Sequence, residues 1–91
     1  MLTPKFHGSF RKDYKQAEKR GKDMGRLNEI TDLLARELPL QPRHKNHPLH
    51  GDYQGWWECH IESDWLLIYR IDKPSRRIIF FRTGTHSDLF G

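Results

Sequence analysis

The sequence predicts an α+β domain in which two N-terminal helices pack on one face of an antiparallel sheet. Three observations carry that prediction. Apolar residues recur at helical spacing through residue 38, three short alternating runs joined by turns fill residues 55 to 83, and helices followed by a meander segregate into layers. The 91 residues suit one domain spanning 1–91; a hydrophobic fraction of 35%, with three Trp, three Tyr and five Phe, supports a thin two-layer core.

The opening TPKFHG is short and contains a proline, which predicts a brief edge strand. Ser9 is the expected N-cap of a first helix. Beyond it Phe10, Tyr14, Ala17 and Gly21 share one stripe, while Arg11, Lys15, Lys19 and Lys22 line another with Lys12 beside it. A second helix is expected from Asp23 to Leu38, burying Met24, Leu27, Ile30, Leu34 and Leu38; Pro39 ends it, because the residue before a proline resists helical geometry. PLQPRHKNHPLHGDYQG, residues 39 to 55, holds three prolines, two glycines and three histidines and reads as a long ordered loop. Strands are expected at about 55–62, 64–71 and 76–83, turning at ESD and DKPS, with GTHSDLFG as a turn and a single helical turn. Helices on one face leave the other as a working surface.

The net charge of +4 is unevenly placed. Residues 1–50 hold 11 Lys and Arg against 6 acids, and residues 51–91 hold 5 against 6. A one-sided positive field suits a polyanion. The lone Cys59 forms no internal disulfide, and neither a signal segment nor a membrane-length span is present, so a cytoplasmic location without membrane attachment is expected.

Alternation along GWWECHIE sets Trp57, Cys59 and Ile61 on one side and Trp56, Glu58, His60 and Glu62 on the other. Arg82 closes the third meander strand with its guanidinium expected free for the open face. His86 follows it, His47 and His50 precede the first meander strand, and Asp64 lies in the turn beyond His60. Histidines, a carboxylate and a guanidinium on one face are what RNA cleavage by its own 2′-hydroxyl requires. One group takes a proton, another returns one, and a cation steadies the phosphorane. No metal or cofactor is needed. Exposed Trp56, Trp65 or Phe90 would stack bases.

The motifs HPLHG, ECHIESDWLLIY and RTGTHSDLFG, with the DMGRLNEI region and LPLQP, resemble the YafQ-type branch of the RelE superfamily over nearly the whole chain. These are ribosome-dependent mRNA endonucleases, the toxins of type II toxin–antitoxin pairs. The resemblance implies a microbial RNase fold, helices on a curved antiparallel sheet, acting on mRNA in the A site of the 30S ribosomal subunit. It also implies a cognate acidic antitoxin whose ribbon-helix-helix domain, and not this chain, reads operator DNA. Position by position it places the active site on His47, His60, Asp64, Trp65, Arg82, His86 and Phe90. The basic residues Arg11, Lys12, Lys15, Lys19 and Lys22 are then candidates for ribosomal RNA contact.

Each residue also has a plainer reading. His60 alone is a solvent-facing strand histidine, His86 a turn residue, Asp64 a strand cap and Arg82 one half of a surface ion pair for which Asp64 is the candidate partner. Trp57 belongs in the core, Trp65 more often packs than stacks, and Phe90 is a terminal plug. His44, His47 and His50 at every third position lack the helical face or paired cysteines of a zinc site. A catalytically silent basic RNA- or protein-binding domain is the alternative to the nuclease.

Overall fold

The computed structural model describes residues 1–91. Strand β1 (Thr3–Phe6) leads into helices α1 (Gly8–Lys19) and α2 (Met24–Ala35), followed by a two-residue strand β2 (His47–Pro48), the meander β3 (Trp57–Glu62), β4 (Trp65–Asp72) and β5 (Arg77–Gly84), and a short helix α3 (His86–Phe90). The expected α+β class holds. The sheet, however, has five strands in the order β1-β5-β4-β3-β2, and β1 runs parallel to β5 while the other pairs are antiparallel. Because α1 and α2 both follow β1 before the chain returns, β1 docks on the outer edge of the last strand.

Helix α1 starts two residues before the expected position. The cap is His7, whose Nδ1 accepts from the Ser9 amide at 3.2 Å, so Ser9 is inside the helix. Asp23 caps α2 through the Gly25 amide. That helix stops at Ala35, three residues short of Leu38. Glu37 takes a left-handed conformation (φ 61°), and the Leu38 amide turns back to the Leu33 carbonyl at 3.0 Å, a Schellman-type close that precedes Pro39. Leu38 consequently stays 46% exposed instead of buried.

The main core lies between the helices and one sheet face: Phe10 and Ala17 from α1, Leu27, Ile30 and Leu34 from α2, against Cys59, Ile61, Trp65, Leu67, Tyr69, Ile78 and Phe80. Burial pushes the Cys59 thiol up to about 12, with a lesser push from the Glu58 carboxylate, so it behaves as a small apolar residue. The opposite face is not left open. A second cluster of Leu66, Ile68 and Leu89, with Leu49, Tyr53, Trp56 and Phe81 packed against it, places the 46–56 loop and α3 over part of it. Trp56 stacks on Phe81 at 4.7 Å beneath the Arg70 guanidinium. The two other tryptophans exchange their expected places. Trp57 is 39% exposed, at the end of β3 away from the site, whereas Trp65 is 1% exposed inside the main core.

Candidate functional site

Strand direction gathers the chemistry at one end of the sheet. In an antiparallel meander β3 ends where β4 begins and β5 ends, so His60, the Ser63–Asp64 turn and Gly84–His86 meet there. His60 pairs with Leu66 and Leu66 with Gly84, while His47 pairs with Glu58, Glu58 with Ile68 and Ile68 with Arg82. Side chains of directly opposed residues share a face. A register shift between His60 and Glu62 and another after Ile68 mark this end of the sheet.

Two histidines each sit against a carboxylate. The His86 ring donates from Nδ1 to Asp64 Oδ1 at 2.6 Å, and the His86 backbone amide donates to the same oxygen at 2.9 Å. That amide first, and the ring second, hold the Asp64 carboxyl below its ordinary value. The His60 Nε2 lies 3.3 Å from Glu58 Oε1, and His47 Nε2 approaches the same oxygen at 3.3 Å. The His60 and His86 rings are 5.9 Å apart, inclined by 66°. Exposure grades across the set, the side chains of Glu58 and His60 being 6% and 15% exposed and that of His86 56%. Glu58 forms the floor and His86 the rim.

Glu58 is the member that sequence reasoning passed over. Alternation set it on the His60 side, but nothing in the letters marks a strand carboxylate as buried between two histidines. The metal-capable set is His47, Glu58 and His60, whose ligand atoms lie within 4.8 Å of one another. It is not the His44, His47, His50 series. His44 instead turns inward and donates from Nδ1 to the His60 carbonyl at 2.6 Å, and it is buried.

Arg82 is not free. Its Nε and Nη2 donate to the two oxygens of Asp13 on α1 at 2.6 and 3.3 Å, Thr83 N adds a bond to Asp13, and the guanidinium pKa is raised chiefly by that Asp13 pairing. The partner is therefore Asp13 and not Asp64, and only Nη1 remains without a bond. Trp65 presents no ring face for a base; it lies in the core with Lys22 Nζ 5.6 Å from its ring centre. Phe90 is 46% exposed, edge-on to Tyr53 at 5.5 Å. Of the basic stripe, Arg11, Lys12, Lys15 and Lys19 are exposed, while Lys22 pairs with Glu62 at 3.5 Å.

The position of His86 depends on how α3 is held. Thr85 caps the helix and Asp88 returns the bond to the Thr85 amide, a capping box. Arg20, at the end of α1, donates to both Asp88 oxygens at 2.6 and 3.2 Å. Arg20 foremost, then the Thr85 amide, keeps the Asp88 carboxyl well below the usual range. Gly84 makes room, since a Cβ there would stand 2.9 Å from Asp88 Oδ2. Replacing Asp88 with Ala is expected to cost about 2 kcal/mol at neutral pH, lowering Tm by about 10 °C. A carboxyl depressed in the folded state stabilises above its unfolded value and loses that contribution as pH falls through the folded one. The difference between the two proteins in thermal melts should therefore shrink below about pH 4 and vanish at stronger acidity.

Fold and site together define a small α+β protein with a partly open acid–base cluster of histidines and carboxylates. The chain belongs to the YafQ family: the description "bacterial toxin of type II toxin-antitoxin system, YafQ" matches residues 2–91. It is 45% identical over 87 residues to the mRNA interferase toxin YafQ of Escherichia coli K12, covering 94% of this chain and 92% of that one. It is similar to the chain in the E. coli DinJ–YafQ toxin–antitoxin complex, with a TM-score of 0.88 and 42% identity over 99% of this chain and 98% of that chain. A metal-bound toxin from Helicobacter pylori matches at a TM-score of 0.93 and 41% identity, over 99% of this chain and 100% of that chain.

Proposed function

We propose that this protein is an mRNA interferase of RelE-superfamily type, the toxin of a type II pair, cutting messages in the ribosomal A site without a metal. The observation that carries the reading is the pair of carboxylate-held histidines, His60 and His86, with rings 5.9 Å apart at an open edge. In the proposed step one imidazole takes the proton of a 2′-hydroxyl as that oxygen attacks the adjacent phosphorus. The other protonates the departing 5′-oxygen, leaving a 2′,3′-cyclic phosphate and a 5′-hydroxyl. Asp64 orients His86, and Glu58 orients His60 and His47. Arg82 supplies positive charge through Nη1 and not a two-pronged clamp, its other nitrogens being held by Asp13. Phe90, half exposed beside Tyr53, is the stacking surface left once Trp65 is assigned to the core.

The ribosome supplies what an open edge lacks. A small site gives little binding energy, and a codon already held in the A site brings the orientation term with it. Arg11, Lys12, Lys15 and Lys19 on the exposed side of α1 are the proposed contact with ribosomal RNA. A cognate acidic antitoxin, carrying the operator-binding domain, covers the cationic surface in the resting cell.

The test is a purified translation system programmed with a defined message. Cleavage is expected inside translated codons and absent when the same RNA is offered without ribosomes. Cleavage of free RNA at equal rate would contradict the ribosomal part. Lys15→Ala/Lys19→Ala should weaken ribosome association several-fold, with a flatter salt dependence than the parent. An unchanged affinity and salt slope would remove α1 from the interface.

A further inference from the structure

Beside the histidine cluster, between α2, the 39–45 segment and the end of β3, lies a cleft of about 900 Å³. This is within the ~300–1,000 Å³ range of small-ligand sites. His60 lines this cleft while its ring faces Glu58, so the cleft adjoins the proposed site of cleavage at the end of β3. Its rim carries Arg43 and Lys45, both exposed and neither engaged in an ion pair; of the two acids that line it, Glu62 is already neutralised by Lys22 and Arg26, and Glu29 on α2 stands exposed and unpaired, leaving two free cations against one free carboxylate. The floor offers apolar contact from Ile30, Leu33 and Ile61.

The cationic rim is built, not incidental. Arg43 lies in a 3-10 turn formed by Pro42–His44, closed by Lys45 in a left-handed conformation (φ 43°). The buried His44 of that turn donates to the backbone carbonyl of His60 itself at 2.6 Å. The backbone that carries the two cations is thereby anchored to the histidine that the proposed chemistry uses.

We propose that this cleft is a binding subsite for the ribonucleotide next to the scissile phosphate, with Arg43 and Lys45 on its backbone phosphate and the base against the Ile30, Leu33 and Ile61 floor. The inference rests on the nuclease reading for its direction, since a strand lying across His60 and His86 must continue somewhere and this is the concavity adjoining His60. Nucleic acid fits better than an acidic peptide. The site couples two unpaired cations to apolar side chains beside a histidine, a combination that takes a phosphate and a base together, whereas a peptide carboxylate uses the cations alone.

The experiment is an amide NMR titration of the whole protein with a 2′-O-methyl hexaribonucleotide, which resists attack, up to millimolar concentration. Shifts at residues 43–45 and 61–63 are expected, together with the His60 ring. Arg43→Ala/Lys45→Ala should weaken binding about tenfold and lower the salt slope by about 1.4, as two lost single-strand phosphate contacts would. Lys73→Ala/Arg77→Ala, an equal charge loss at the other end of the sheet, should lower the slope by less. Shifts confined to α1, no shift at millimolar RNA, equal behaviour of the two double variants, or equal cleft shifts with a polyglutamate peptide would each overturn the subsite. If messages are not cut but the RNA still maps to the cleft, the nuclease reading fails and the subsite stands. If messages are cut and the cleft is silent, the subsite alone fails.

Discussion

The His86→Ala protein should lose about 100- to 10,000-fold of its translation-coupled cleavage while remaining folded. The size follows from the geometry. His86 is the most exposed ring of the three histidines, and its Nδ1 is committed to Asp64 while its Nε2 has no hydrogen-bond partner in the protein. Stability should change little, with Tm within about 4 °C of the parent, because the side chain is largely solvated. The dominant bond holding Asp64 comes from the His86 backbone amide, which alanine retains. A folded His86→Ala protein that still cuts at the parental rate would take the imidazole out of the reaction and leave His60 without its proton partner.

The second large effect concerns Trp65, and it is structural. Trp65→Ala should destabilise the domain by about 3–5 kcal/mol, a large part of the ~5–15 kcal/mol that such domains possess. The indole is 1% exposed in the main core, so the loss combines transfer and cavity terms. Trp65→Phe should cost only about 1 kcal/mol, because the ring removed is partly replaced and the indole Nε1, buried without a partner, is removed with it. Chemical denaturation reads the stability and the hexaribonucleotide titration reads the affinity. The account expects the Phe protein to bind RNA as the parent does. A Phe protein that melts like the parent but binds RNA tenfold more weakly would restore the ring to the binding surface.

Trp65 also shows where sequence reasoning reached its limit. The alternation of β3, β4 and β5 was legible because a half-buried meander imposes a period of two, and it placed His60 and Asp64 at the correct strand ends. Alternation assigns a face but does not say how far along a strand that face is covered. Trp57 and Trp65 both lie on the helix side, and only the reach of α1 and α2 decides which is buried. Contacts between distant segments were equally silent. Asp13 with Arg82 and Arg20 with Asp88 join residues 69 and 68 apart in the chain. Asp13 and Arg20 stand seven residues apart on one face of α1, yet a basic helix gives no sign that these two serve the far end of the sheet. The parallel docking of β1 on β5 is non-local in the same way. Helix ends depended on chemistry that composition hides: a histidine as N-cap and a glutamate, not a glycine, in the left-handed closing position of α2.

The central claim is that two carboxylate-held histidines transfer protons while a 2′-hydroxyl displaces the neighbouring nucleotide. The ends of the cut message test it most directly. The account predicts a 2′,3′-cyclic phosphate or its opened phosphate on the upstream fragment, a 5′-hydroxyl on the downstream one, and no cleavage where the upstream nucleotide is 2′-deoxy. A 3′-hydroxyl with a 5′-phosphate, or unimpaired cutting after a deoxynucleotide, would contradict it.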